Sequence, residues 1–269
     1  MLFFIIVFGL IVGSFINALV WRLSVVGKNK YRDVNTSILS GRSLCPSCKH
    51  ELSYKDLVPV ISWLYLRGRC RYCSAIIGTI YPLVELVTSV LFVTSFLNWM
   101  YSFDAKGIIL FIIWLLILTV LISLAVYDYL YMILPNVLVY ISVILSLTFI
   151  AGEYSFYNSN ITFLVSRLLG IAFSSGIFYV LYQISSGKWI GGGDVKLCIS
   201  LGLILGGPLN VLLMIFIASL LGCLYVFISI FFSKAKFHKK NTIPFGPLLI
   251  FSTFICFFYS NHVLDIMHM

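Results

Sequence analysis

The sequence predicts an all-α fold: a polytopic membrane bundle of about eight transmembrane helices carrying one small cytoplasmic loop module. Three observations point there. Of the 269 residues, 61% are hydrophobic and only 10% are charged, against about 25% charged in soluble domains. The mean hydropathy is +1.07. The apolar residues also fall into runs near the ~20 residues that cross a hydrocarbon core. A water-soluble domain of this length cannot hide so much apolar surface, so its solvent is lipid.

The first run is Leu2–Leu23. No basic residue precedes it and no Ala-x-Ala-like exit ends it, whereas Arg22 and a basic segment follow. That order describes an uncleaved first helix with its N-terminus outside, not a secretory signal. Within it, Gly9 and Gly13 form a G-x-x-x-G, which reads either as a close-packing face or as two chance glycines. The remaining predicted spans are Ile76–Asn98, Gly107–Tyr127, Leu134–Gly152, Ile161–Gln183, Val195–Gly206, Leu209–Phe232 and Pro244–Ser260. The sixth is short, so it is either a half-helix or is fused to the seventh across Gly206-Gly207-Pro208. No sequence period of 20–50 residues is visible.

Orientation follows from the basic residues. With the N-terminus outside, loops 24–75, 128–133, 184–194 and 233–243 are cytoplasmic and hold fourteen Lys and Arg, while the outside segments hold only Lys106. That bias fixes the topology. The chain divides into a first transmembrane helix at 1–23, a cytoplasmic four-cysteine loop at 24–75 and a transmembrane core at 76–269. The net charge of +9 does not indicate nucleic acid. Ten of the eighteen basic residues lie between Arg22 and Arg71, and four more at Lys234, Lys236, Lys239 and Lys240. Clusters that flank apolar runs face anionic membrane lipid.

Seven cysteines divide sharply. Cys198, Cys223 and Cys256 sit alone in apolar spans, where a thiol acts as a small hydrophobe. The others form Cys45-Pro46-Ser47-Cys48 and Cys70-Arg71-Tyr72-Cys73, with 21 residues between the pairs. Two such knuckles direct four thiolates at one centre, the closed tetrahedral sulfur site of structural zinc. In a cytosolic loop a disulfide is the weaker reading, beside a redox pair or unmetallated thiols. With four thiols completing the shell, His50 is a surface residue, and the metal has no open position for chemistry.

Only nine acidic residues exist, and Glu85, Asp128 and Asp194 lie within or at the ends of spans. Acids in hydrocarbon are functional candidates by default. Asp128 ends the third span and Asp194 opens the sixth, so both are expected at the cytoplasmic face. Two neighbouring aspartates share one proton: the ionised partner takes a proton from water, while the protonated one polarises a peptide carbonyl. Gly191, Gly192 and Gly193 precede Asp194 and are expected to adopt unusual dihedrals and to let a substrate backbone approach. The plainer alternatives are a flexible connector whose Asp194 caps the sixth helix, and an interfacial acid at Asp128. Glu85, nine residues into the second span, either pairs with a basic group, lines a cofactor cavity or sits protonated in the bundle.

Taken in order, these motifs resemble the type IV prepilin peptidases, leader peptidases and N-methyltransferases of the GxGD aspartyl class. The likeness covers nearly the whole chain. It runs through Gly13-Ser14-Phe15-Ile16-Asn17 with Trp21-Arg22-Leu23, the two cysteine knuckles with Leu66-Arg67-Gly68-Arg69, and Tyr81-Pro82-Leu83-Val84-Glu85. Asp128 with Leu134-Pro135, Gly191-Gly192-Gly193-Asp194-Val195-Lys196 and Pro244-Phe245-Gly246-Pro247 complete it. The resemblance implies that Asp128 and Asp194 are the catalytic pair and that prepilin or pseudopilin precursors are the substrates. It also implies S-adenosylmethionine as methyl donor, with Glu85 as the candidate cofactor contact. The chain departs from the family pattern at Asn136, where an acid often stands, and at Ile80, where an arginine often does. From another class, a proton- or cation-coupled transporter would also use intramembrane acids, although these sit at helix ends on one face. A presenilin-like protease shares the Tyr127-Asp128 and Gly-x-Gly-Asp pair but not the cysteine loop.

Overall fold

The computed structural model describes residues 1–26, 43–157, 160–232 and 244–267. The basic clusters at 28–42 and 234–240 lie outside the described residues. The chain forms two compact units, Met1–Trp99 and Met100–Met269.

The first unit pairs α1 (Leu2–Val26) with α3 (Ile80–Leu97) and carries the cysteine loop, with its short helix α2 (Ile61–Tyr65). The helices are antiparallel neighbours along one seam. A Cβ on Gly9 would stand 2.6 Å from the Cα of Ser89, and one on Gly13 would stand 2.5 Å from the Cα of Glu85. Asn17 Nδ2 donates to the Tyr81 carbonyl at 3.0 Å. Every fourth residue of α1 thus meets every fourth residue of α3. The G-x-x-x-G is therefore a packing face, and the seam has the small-residue character of helix contacts made in lipid. Ser89 Oγ adds a bond to the Ile6 carbonyl at 3.0 Å.

The second unit comprises α4 (Ala105–Tyr131), α5 (Asn136–Tyr157), α6 (Ile161–Ser185), α7 (Gly192–Leu205), α8 (Pro208–Phe232) and α9 (Gly246–Met267). The eight predicted spans are α1 and α3 through α9. Among the described residues, α1, α3, α4, α5, α6 and α8 are long and apolar enough to cross a membrane. The apolar stretch Gly246–Tyr259 of α9 is shorter.

α7 is a separate half-helix and does not fuse with α8. Gly206 and Gly207 both take left-handed φ, 59° and 58°, and no helix continues through two such residues. Its 14 residues rise roughly 21 Å, too little for a core of about 30 Å. Its neighbours α5, α6 and α9 enclose it, and Leu197, Cys198, Leu201 and Ile204 are all but inaccessible. Polar bonds fasten it: Ser174 Oγ donates to the Cys198 carbonyl at 2.7 Å and Ser175 Oγ to the Val195 carbonyl at 3.1 Å. Ser146 and Ser200 share a hydroxyl contact of 2.9 Å.

Two acids sit differently from expectation. Glu153, assigned from sequence to an outside loop, lies inside α5. It is a fourth acid within an apolar helix, held 3.1 Å from Arg167 of α6 and accepting from the Tyr101 hydroxyl at 2.7 Å. Arg167 also donates to the Leu203 and Ile204 carbonyls, so a cation caps the negative end of α7. A lone arginine in an apolar run gave no sign of its partner, fourteen residues away across a loop. Asp128, placed at the end of the third span, lies within the last turn of α4, which runs to Tyr131 and closes on a left-handed Met132.

Candidate active site and cysteine cluster

Asp194 occupies the first turn of α7. Gly191 is the N-cap, and the Asp194 carboxylate reaches back to its backbone N–H. Asp194 is therefore the third helical residue and not the cap. The glycines also depart from expectation. Gly191 has ordinary extended angles, Gly192 and Gly193 are helical, and none has positive φ. What they supply is room. A Cβ on Gly193 would stand 3.1 Å from Leu134 Cβ, and one on Gly192 would stand 3.6 Å from Tyr182. The start of α7 can thus lie against the Leu134-Pro135 turn that follows α4, and Lys196 Nζ closes the gap with a 3.0 Å bond to Asn136 Oδ1.

Asp128 reaches the same place from α4. Its carboxylate and that of Asp194 are within electrostatic range of each other. Asp128 is only 7% exposed and Asp194 is half-buried, so the pair forms a sheltered recess with one accessible member. Each acid also meets a helix N-terminus. Asp194 sits on that of α7, and Asp128 Oδ2 accepts the Gly246 N–H, at the start of α9, at 3.1 Å. The positive ends of two helix dipoles offset the negative charge that a buried carboxyl pair carries.

Gly246 is the functional residue that sequence reasoning left without a role. The signal was present in Pro244-Phe245-Gly246-Pro247, but nothing local says that a glycine near residue 246 faces an acid at 128. A Cβ there would stand 2.8 Å from Asp128 Oδ2, closer than real contacts allow. Gly246→Ala is therefore expected to displace the Asp128 carboxylate and to lower peptide cleavage about 10–100-fold, the scale of an ångström-sized misplacement. Gly222→Ala, where the new Cβ would meet Leu248 at an ordinary 3.5 Å, should cleave as wild type. Initial rates on membranes with matched protein levels decide it.

The first unit holds the second cluster. The Sγ atoms of Cys45, Cys48, Cys70 and Cys73 all lie within 4.8 Å of one another, with Cys45 and Cys73 at 3.9 Å. A tetrahedral zinc with Zn–S bonds of about 2.3 Å separates its sulfurs by about 3.8 Å, so the four fit such an ion. The knuckles, 25 residues apart, also repeat one another in their backbone bonds, which the C-x-x-C spacing alone does not show. Cys45 N–H donates to the His50 carbonyl and Cys70 N–H to the Ala75 carbonyl, at 3.0 and 2.8 Å. Lys49 and Ser74 take φ of 58° and 57°, and the bridges Leu44 to Glu51 and Arg69 to Ile76 close each turn. His50 is outside the cluster, tilted against Tyr72 with centroids 3.8 Å apart.

Glu85 is 8% exposed. Its Oε2 accepts the Val60 N–H at 2.7 Å, and Ser14 contributes a second hydrogen bond. Val60, with φ of 60°, holds a strained turn, so the carboxylate anchors the loop onto the α1–α3 seam. The same residue borders the cavity of this unit.

Comparison with known proteins now bears on these sites. The bacterial peptidase A24 N-terminal domain matches residues 7–99, and the type IV leader peptidase family matches residues 109–227. A type 4 prepilin-like proteins leader peptide-processing enzyme of Escherichia coli is 32% identical over 90% of this chain and 87% of its own. The chain belongs to the type IV leader peptidase family. A prepilin leader peptidase/N-methyltransferase of Vibrio cholerae is 31% identical over 93% of both chains. One of Bacillus subtilis is 28% identical over 98% of this chain and 97% of its own. No solved structure matches the chain. Like its family, the chain is a multi-pass inner-membrane protein and an aspartic peptidase.

Proposed function

We propose that this peptidase removes the basic leader of type IV prepilin or pseudopilin precursors at the cytoplasmic membrane face, and then methylates the new N-terminus. The observation that carries the reading is the meeting of Asp128 and Asp194 at the N-termini of α9 and α7. Water bound between the carboxyls is deprotonated by the ionised partner and attacks the scissile carbonyl, which the protonated partner polarises. The proton then passes to the departing amine as the carbon–nitrogen bond breaks. Of Gly191, Gly192 and Gly193, the exposed Gly191 is where the substrate backbone approaches Asp194, while Gly192 and Gly193 let α7 close on Tyr182 and Leu134. The basic-residue bias of the loops supports a cytoplasmic position for both acids, where a leader stays in water while the following apolar helix lies in lipid.

Zinc fits the four sulfurs and supplies structure only, since four thiolates leave no open position. The names of the relatives support methyl transfer, which needs a methyl donor, and S-adenosylmethionine is the one we propose. The chemistry that the chain must provide is a neutral amine nucleophile and a pocket for a cationic donor. Glu85, a buried carboxylate bordering the cavity, is the residue assigned to face that positive charge.

Mass spectrometry of a prepilin incubated with purified protein and donor tests both halves. The expected product is shorter by the leader and heavier by one methyl group. Glu85→Gln should lower the methylated fraction at least about tenfold while changing cleavage by less than about threefold, because the amide removes the charge and keeps the shape. Equal loss of both activities in a folded Glu85→Gln protein makes Glu85 part of the scaffold alone. A product that is cut but never methylated makes this chain a peptidase only.

A further inference from the structure

Between the two cysteine knuckles, residues 57–66 form an uncharged run of ten in which Ser62 is the one small polar residue. An apolar stretch of about 10–14 residues is too short to span a bilayer and suits a re-entrant or interfacial segment. The run contains α2. Ile61, Leu64 and Tyr65 share one face of that helix and are 66%, 61% and 79% exposed. Leu57 and Val58, just before it, are exposed as well. Ser62, Trp63 and Leu66 turn the other way and are half-buried, with Trp63 Nε1 donating to the Ile77 carbonyl at 3.1 Å. An apolar cluster left open in this way marks a contact surface.

The depth of the run identifies what it touches. The 18 residues of α3 rise roughly 27 Å, so a hydrocarbon core of about 30 Å takes up the whole helix. Glu85 is the sixth of those residues, roughly 8 Å from the helix start. Its carboxylate accepts the N–H of Val60 at 2.7 Å, and Val60 is the N-cap of α2. The side chain leans toward the start of α3, so α2 begins alongside the first two turns of a spanning helix. A loop standing clear of the membrane does not reach that level.

Two further features suit lipid. Backbone at membrane depth must satisfy its own polar groups, and this run does. The Ser62, Leu64 and Leu66 amides donate to the Val58, Val60 and Ser62 carbonyls at 3.0, 3.0 and 2.9 Å, and Gly68 donates to the Trp63 carbonyl at 2.9 Å. Glu85 takes the Val60 amide. At the edges of the run stand Lys55 and Arg67, both exposed. Long cationic side chains in that position reach up to anionic headgroups while their stems cover apolar surface.

We propose that residues 57–66 are a re-entrant element of the leaflet on the cysteine-loop side, with Ile61, Leu64 and Tyr65 among acyl chains and Lys55 and Arg67 at anionic headgroups. The knuckles on either side of it stay in water. The loop assigned to the cytoplasm by its basic residues is thus seated in the membrane at its middle, whatever reaction the protein carries out.

The test uses the full-length chain in vesicles, with a fluorescent noncanonical residue placed at position 61, 64, 65 or 47 in turn. Position 47 lies in the first knuckle, where Ser47 is exposed. Lipids spin-labelled on the acyl chain should quench 61, 64 and 65 at least about twofold more than 47, as expected of a face lying below the headgroups. Aqueous iodide should show the reverse order. Three positions on one face keep the outcome independent of any single label that misfolds. Lys55→Gln combined with Arg67→Gln should reduce acyl-chain quenching at 61 in phosphatidylglycerol vesicles and leave it unchanged in phosphatidylcholine. The same signal from this variant in both lipids removes the headgroup contacts. Equal quenching at all four positions, with iodide reaching each, places the run in water and overturns the proposal. Shielding of 61, 64 and 65 from both quenchers, lost when the protein is diluted in lipid, means that a second copy covers the face and likewise overturns it.

Discussion

Asp128→Asn and Asp194→Asn should each reduce prepilin cleavage by at least about a thousandfold, within the 10²–10⁴ range that acid–base groups supply. Asparagine keeps the size of aspartate, and at position 128 its carbonyl can still accept the Gly246 N–H. The loss therefore reports proton transfer and not collapse of the recess. Because the two acids are proposed to share one proton, either single change should remove the function of both. The double variant should consequently be no slower than the singles, a non-additivity expected of groups that act as a unit. Cleavage is scored by the mobility of a prepilin substrate, and insertion by recovery of full-length protein in the membrane fraction. Substantial cleavage by either inserted variant removes the aspartyl mechanism. A double variant slower than the singles by a further thousandfold would mean that the acids act independently.

Much of this architecture was legible because lipid makes sequence simple. Apolar run length and charge placement predicted helices that became α1 and α3 through α9, since a membrane core tolerates little but helix there. The knuckle spacing brought out the four-sulfur cluster for a similarly local reason: C-x-x-C is a turn and its metal in one. What remained hidden was contact between distant segments. The backbone amide that holds Asp128 belongs to Gly246, and the one that holds Glu85 belongs to Val60. An amide carries no signature in its residue's identity. The glycines before Asp194 were read for the wrong property, because glycine serves both unusual φ and close approach, and sequence does not separate the two. Glu153 and Arg167 were missed because each looks like an isolated charge until the packing of α5 and α6 on α7 brings them together.

Stripping the metal should have the second large effect, confined at first to the loop. The purified protein is expected to contain about one zinc per chain, and Cys48→Ser or Cys73→Ser should lose it. Both residues are exposed, while Cys45 and Cys70 are buried, so these substitutions remove a ligand with little change in packing. Among its described residues the loop has few other means of staying folded. Its helices are a five-residue turn and a three-residue 3-10 turn, and Asp56 with Arg71 and Tyr72 makes its main side-chain brace. A structural zinc contributes about 10–16 kcal/mol in small domains of this kind, far more than such braces. Without metal the Cys73 thiol resists ionisation. The Ala75 backbone favours the Cys73 thiolate, but partial desolvation and the neighbouring sulfurs of Cys48, Cys70 and Cys45 outweigh it and push the thiol up to about 12. A dication must therefore displace protons on binding, so retention should be firm at neutral and higher pH and weaken as pH falls. Limited proteolysis with and without a chelator, read beside metal analysis, checks the whole chain of reasoning. Cuts between residues 43 and 78 should rise at least about tenfold on metal loss, while α4 through α9 stay intact. Protein purified without chelator that carries no zinc, or a loop equally resistant with and without it, would show that the sulfurs hold no structural metal.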